Sequence, residues 1–172
     1  TAPGASRATR GPRRRARLSK WPTSWREFVA GRRRKGREVA LKALYQAAVA
    51  VERDFGVLEE TIRSEIDDPK ARAQAREAVR GVLERLDEID ARLRAAATNW
   101  SPERMAAVDL AILRLAAWEI LFSDDVPPKV AISEAVDLAG EYGTRDSGAF
   151  VNGVLDRILR EQEGRAPRKD AE

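Results

Sequence analysis

The side chains best equipped for chemistry in this chain are cations, not nucleophiles. Arg32-Arg33-Arg34-Lys35-Gly36-Arg37 places five positive charges immediately before EVALKALYQAAVAVE. Guanidinium groups match phosphate oxygens in a two-point geometry, so such a run suits a polyanion. A solvated charge run is the structural alternative. Read as the start of a helix, the cations oppose the macrodipole at a cost of some tenths of a kcal/mol, which points to a use beyond local structure. The chain has no histidine and no cysteine. That removes the usual general base, the commonest metal ligand, disulfides and thiolate metal sites. No cofactor, metal or catalytic residue is expected.

Charge is distributed unevenly. Residues 1–37 hold thirteen Lys and Arg against one acid, Glu27, while the remaining 135 residues carry a net charge of −8. A mildly acidic body with a basic arm is a pattern of chains that bind nucleic acid or another polyanion. Residues 1–20 are mostly Arg, Gly, Pro and Ala and cannot bury enough apolar surface to offset their ordering entropy. The reading is therefore a basic extension over 1–31, a globular domain over 32–162 and a polar tail over 163–172. Ser24-Trp25-Arg26-Glu27 has the form of a capping box, giving a short helix 24–30 ended by Gly31. That helix either docks on the domain or serves as an anchor for a partner. No apolar run of signal-peptide type follows the basic start, so the expected location is the cytoplasm.

The elements that must position these charges are helices. In 38–52, Leu41, Leu44, Tyr45, Ala48 and Val51 recur at helical spacing and predict one buried stripe. Gly56 is expected to break this helix, with VLEETIRSEI forming a short second one. Asp68-Pro69 opens a long third helix, its buried face carried by Ala78, Val82, Leu86, Ile89 and Leu93, with Gly81 as a bend or a close crossing. Ser101-Pro102-Glu103 opens a central helix, PERMAAVDLAILRLAAWEILF, in which Asp109, Arg114 and Glu119 point in three directions and leave no wet face. Such a helix belongs in a protein core, since insertion in a membrane would place three charges in lipid. Its charges need partners on neighbouring helices. Two further helices follow, Pro128 to Tyr142 and another capped by Asp146 or Ser147 and ended by Gly164. Val130, Ala131, Ala135, Val136, Leu138 and Ala139 are available for packing on the first, and Gly143 fits a left-handed position after it. The sum is an all-α domain of about seven helices joined by short connections.

Three stretches carry a family resemblance: RRRKGREVALKALYQ at 32–46, LRLAAWEI at 113–120 and DVPPKVAISEAVDLAGEYGTRDSGAFVNGVLD at 125–156. The chain resembles the NusB family of bacterial antitermination factors over roughly residues 32–160. The resemblance implies two packed helical bundles without a catalytic site. It further implies binding of a single-stranded boxA element in ribosomal RNA leaders together with NusE, a ribosomal protein of the small subunit. The pair would tether nascent RNA to the RNA polymerase antitermination complex. By the same resemblance the family's arginine-rich start falls on Arg32, Arg33, Arg34 and Arg37, with Lys35 as an added phosphate contact. The family's aromatic on the first helix falls on Tyr45, and its acidic and Phe positions before VNGVLD fall on Asp146 and Phe150.

These assignments imply arginines on phosphates, Phe150 and Tyr45 on bases, and Asp146 accepting from a base amino or sugar hydroxyl group. Each has a structural alternative: packing for Phe150, a core position with a satisfied hydroxyl for Tyr45, a plain N-cap for Asp146. Lys129 follows Pro128, where some relatives have an aromatic, so a ring contact there is absent. Asp109, Arg114 and Glu119 read as a core polar set or, where they face outward, as the side presented to NusE. Asn152 and Gly153 read as structural, a buried amide and a close helix contact. GEYGTRDSG lacks a Walker lysine and follows no strand, so it is not read as a phosphate loop. Two other function classes remain: a helical scaffold or homodimer that does not bind RNA directly, and a module related to the N-terminal domain of RNA cytosine methyltransferases. The latter needs a cofactor loop and a nucleophilic cysteine on a further domain.

Overall fold

The computed structural model describes residues 23–99 and 101–165, with backbone alone for 23–29. The chain forms α1 (Thr23–Ala50), α2 (Phe55–Glu65), α3 (Pro69–Glu84), α4 (Leu86–Ala96), one 3-10 turn at Pro102–Arg104, α5 (Ala107–Phe122), α6 (Pro128–Tyr142) and α7 (Ser147–Arg165). The described residues hold no strand, and no helix among them is long and apolar enough to cross a membrane. Helices α1, α2 and α3 pack together, and α4, α5, α6 and α7 form a second group. Helix α5 joins the two groups by lying against α1 and α3 as well as against its own bundle.

Its sequence explains that position. Ten of its sixteen residues are buried, on every side of the helix, and a helix without a polar face can be stable only when it is surrounded. Its three charges each reach a different helix. Asp109 Oδ2 accepts from Ser147 Oγ at the start of α7 (3.0 Å). Arg114 donates from Nε and Nη2 to both carboxylate oxygens of Asp90 on α4 (2.9 and 2.8 Å). Glu119 Oε1 accepts from Arg37 Nε on α1 (2.9 Å). Asp109, Arg114 and Glu119 are thus internal fasteners, and the outward face towards NusE considered for them is not present. Desolvation offsets much of the attraction in the two ion pairs, whereas removing one partner of either would leave a charge buried without its counterpart.

Several expected boundaries move. The backbone is helical without interruption from Thr23 through Gly31, so the separate helix 24–30 is the first part of α1. An exposed glycine costs a helix only about 1 kcal/mol relative to Ala, too little to stop one that continues on both sides. The side chains of the capping box at Ser24–Glu27 lie outside the described residues, as do the arm before residue 23 and the tail after 165. Helix α1 ends not at Gly56 but at Ala50, and Val51 directly after it has a φ of 54°. Left-handed backbone is unfavourable for a β-branched residue, and it reverses the chain before Asp54 caps α2 by accepting from Gly56 N (2.7 Å).

The long third helix is two. Asp68 accepts from Lys70 N with Pro69 at the first position, as expected, but the helix stops at Arg85 and α4 restarts at Leu86. Gly81 is a close crossing: a Cβ there would overlap the Trp118 indole of α5. The central helix begins at Ala107, because Pro102–Arg104 forms a separate 3-10 turn. Helix α6 has the expected limits, although Val130 is exposed. Gly143 is extended, not left-handed, with φ −93° and ψ −163°. Its missing side chain matters for space, since a Cβ would lie 2.6 Å from both Ala139 O and the Ser147 side chain. Helix α7 runs through Gly164 to Arg165, and Asn152 and Gly153 are exposed on it, with nothing near a Cβ built at Gly153.

Candidate nucleic-acid interface

Helix α1 carries the whole run of cations from Arg32 to Arg37, and its geometry sorts them. At about 100° per residue, positions 34, 38, 42, 45 and 49 share one face, with 35 at its edge. This is the solvent face: Tyr45 is 46% and Val49 59% exposed, and Lys35 and Lys42 are exposed as well. The opposite side carries Val39, Ala40, Ala43, Leu44 and Ala47, all buried. The buried stripe is therefore rotated from the one expected through Tyr45, Ala48 and Val51, and Tyr45 presents its ring to solvent. The alternative of a core tyrosine does not hold.

Arg37 lies on the inner side. It is buried and held by Glu119 (2.9 Å) and, through Nη1, by Glu134 of α6 (3.6 Å). A phosphate could reach it only by entering the core, so Arg37 is removed from the expected phosphate-binding set. Burial pushes the Glu119 carboxyl above the ordinary range, and the neighbouring Arg37 guanidinium opposes that shift. Arg32 Nε lies 2.7 Å from Asp68 Oδ2, the carboxylate that also caps α3. Arg33 Nη1 donates to the Asp125 carbonyl oxygen in the α5–α6 connection (3.2 Å). Arg34 meets three carboxylates, Glu38, Glu134 and Glu141. Because the run sits inside α1, well past its first turn, the macrodipole cost expected for these cations does not arise.

Helix α6 closes the outer side of this patch. Glu134 and Glu141, seven residues apart, both face α1 and hold Arg34 from two directions. Tyr142, 45% exposed, follows Glu141 and stands near Lys42 and Glu38. Partial burial, with the Glu38 and Glu141 carboxylates, raises its phenol above the ordinary value. Lys42 pairs with Glu65 of α2 (2.8 Å) at the same surface. Lys129 is exposed in the first turn of α6, four residues after Asp125.

The chain then turns through residues 143–146 into α7. Ser147 organises this turn: its Oγ accepts from Thr144 N (2.9 Å) and donates to Asp109. Asp146 is exposed and precedes the first residue of α7. Phe150, one helical turn on, is half-buried and packs against the core. Arg34, Lys35, Lys42, Tyr45 and Tyr142 thus lie on one face formed by α1 and the end of α6, and the turn bearing Asp146 continues directly from it. Lys42 and Tyr142 were not among the expected residues. The signal that could have found Lys42 is its spacing, eight residues after Arg34 and three before Tyr45. Cations interleaved with exposed rings can pair phosphates and stack bases, and no group of His, Cys, Asp and Glu among the described residues could hold a metal ion.

Residues 34–160 match the NusB family. The transcription antitermination protein NusB of Geobacter sulfurreducens is 47% identical over 129 residues, covering 74% of this chain and 94% of that protein. Among solved structures, T. maritima NusB is 42% identical with a TM-score of 0.68, over 75% of this chain and 91% of that one. A crystal structure of the antitermination factors NusB and NusE in complex with dsRNA contains a chain 27% identical, with a TM-score of 0.69, over 76% of this chain and 97% of that one.

Proposed function

The chain belongs to the NusB family, and from that premise we propose that it is a non-enzymatic transcription antitermination factor that binds single-stranded boxA-type RNA of ribosomal RNA leaders. It does so together with the ribosomal protein NusE and tethers the nascent RNA to the transcribing polymerase. The observation that carries this reading is the shared face of Arg34, Lys35, Lys42 and the exposed Tyr45 ring on α1. An unpaired strand can lay its phosphates on the cations and a base on the ring, which a paired strand cannot do without opening. By the family resemblance, Asp146 accepts from a base amino or sugar hydroxyl group and Phe150 contributes its exposed part to base stacking; Asp146 is exposed and Phe150 half-buried.

Titration of the chain against boxA-type and scrambled RNA, with and without NusE and at several salt concentrations, tests the proposal. With about three phosphates engaged, on Arg34, Lys35 and Lys42, log K should fall against log salt with a slope of about −2. A flat salt response, or equal affinity for both RNAs in the presence of NusE, would overturn it. A dimer in light scattering with no RNA shift would favour the scaffold reading instead.

A further inference from the structure

We propose that Glu141 is a built-in stand-in for phosphate: it occupies the outer edge of the Arg34 guanidinium, and an RNA phosphate oxygen takes its place on binding. This rests on the RNA-binding reading above and names the step by which the patch opens. All three guanidinium nitrogens of Arg34 are engaged, Nε by Glu38 (3.2 Å), Nη1 by Glu134 (3.4 Å) and Nη2 by Glu141 (2.8 Å). Three of its five N–H donors are thus committed to carboxylates, so a phosphate taking the two-point geometry at the Nη2 edge competes with Glu141 for it.

Exposure decides which one. The Glu141 side chain is 51% exposed, against 25% for Glu38 and 28% for Glu134. Glu134 is held in addition by Arg37, which is itself fixed by Glu119. Glu38 sits on the same helix as Arg34, one turn on. Glu134 and Glu38 therefore keep the guanidinium extended towards solvent, and Glu141 can swing away at the small cost typical of an exposed pair. The other three arginines of the run are held differently: Arg32 meets a carboxylate that also caps α3, Arg33 donates to a backbone carbonyl, and Arg37 is buried against Glu119. Tyr142, exposed and next in the chain to Glu141, stands close to Lys42 on the same face.

The test is a double-mutant cycle. Glu141→Gln, Arg34→Gln and the double variant are titrated with fluorescently labelled single-stranded boxA-type RNA, and folding is checked by thermal unfolding. Glu141→Gln should tighten binding about two- to fivefold, the factor an exposed ion pair represents, and the same change in the Arg34→Gln background should leave affinity unaltered. Equal tightening in both backgrounds would mean diffuse repulsion and would overturn the proposal, as would unchanged or weaker binding by Glu141→Gln. Binding by the wild-type chain that is insensitive to Arg34→Gln overturns this inference and leaves the RNA reading standing. Absence of binding in every variant, wild type included, overturns both.

Discussion

Arg37 and Glu119 form an ion pair inside the molecule, Nε to Oε1 2.9 Å, with less than a tenth of either side chain exposed. Removing one partner leaves the other charge buried, so Arg37→Ala should destabilise the fold by about 3–5 kcal/mol. Urea denaturation would show this as a lower midpoint with an unchanged slope. Replacing both residues by apolar ones of similar volume should recover most of the loss. A variant as stable as the wild type would contradict the buried pairing.

Tyr45 and Phe150 separate surface chemistry from packing. Tyr45 is nearly half exposed, so Tyr45→Ala should change stability by no more than about 0.5 kcal/mol. Its RNA affinity should fall about 5- to 150-fold if a base stacks on the ring. Phe150 packs against the core, so Phe150→Ala should lower both affinity and the unfolding midpoint. Paired measurement of binding and melting distinguishes the two residues.

Gly81 sets the approach of α3 to α5. A methyl group there would overlap the Trp118 indole, so Gly81→Ala should cost about 1–3 kcal/mol through forced repacking. Ala is otherwise the better helix former, and a stabilised variant would show that the indole moves aside freely. Tryptophan fluorescence alongside denaturation would report the displaced ring.

Glu103, held by a hydrogen bond from Arg94 (2.7 Å), has its carboxyl lowered from 4.5 to about 2. The folded state thus favours the ionised form more than the unfolded chain does. The resulting contribution is present above pH 4.5 and is lost as pH falls towards 2. Carboxyl titration by NMR should place Glu103 below the other exposed glutamates, and Arg94→Ala should return it towards their range.

Local signals were legible where punctuation residues stand alone. Pro128 and the glycine after Tyr142 bracket α6, and Asp68-Pro69 marks the start of α3. The charges of α5, recurring every five residues, announced a surrounded helix with three partners. The identity of those partners was not local: Arg37 and Glu119 are 82 residues apart, and a row of arginines gives no sign that one of them points inward. Spacing alone puts Tyr45 in the buried stripe, while the resemblance makes it a base-stacking ring; the alanines of α1 give too little contrast between its sides for the spacing to decide. Val39, Ala40, Ala43 and Ala47 line the buried stripe, while the larger Tyr45 and Val49 are outside it. The division between α3 and α4 lies in LERLDE, a run of good helix formers. No breaker residue announces it; at the break Arg85 leaves helical geometry, with φ −113° and ψ 15°, and its guanidinium lies over the Phe122 ring (4.7 Å).

The Ser147 hydroxyl joins two jobs. It shapes the turn that carries Asp146, and through Asp109 it is anchored to the helix at the centre of the molecule. The turn therefore cannot be transplanted as a peptide, nor varied freely for a new target sequence, unless its footing on the central helix is carried along. An Asp109 substitution would be felt first as a displaced 143–146 turn.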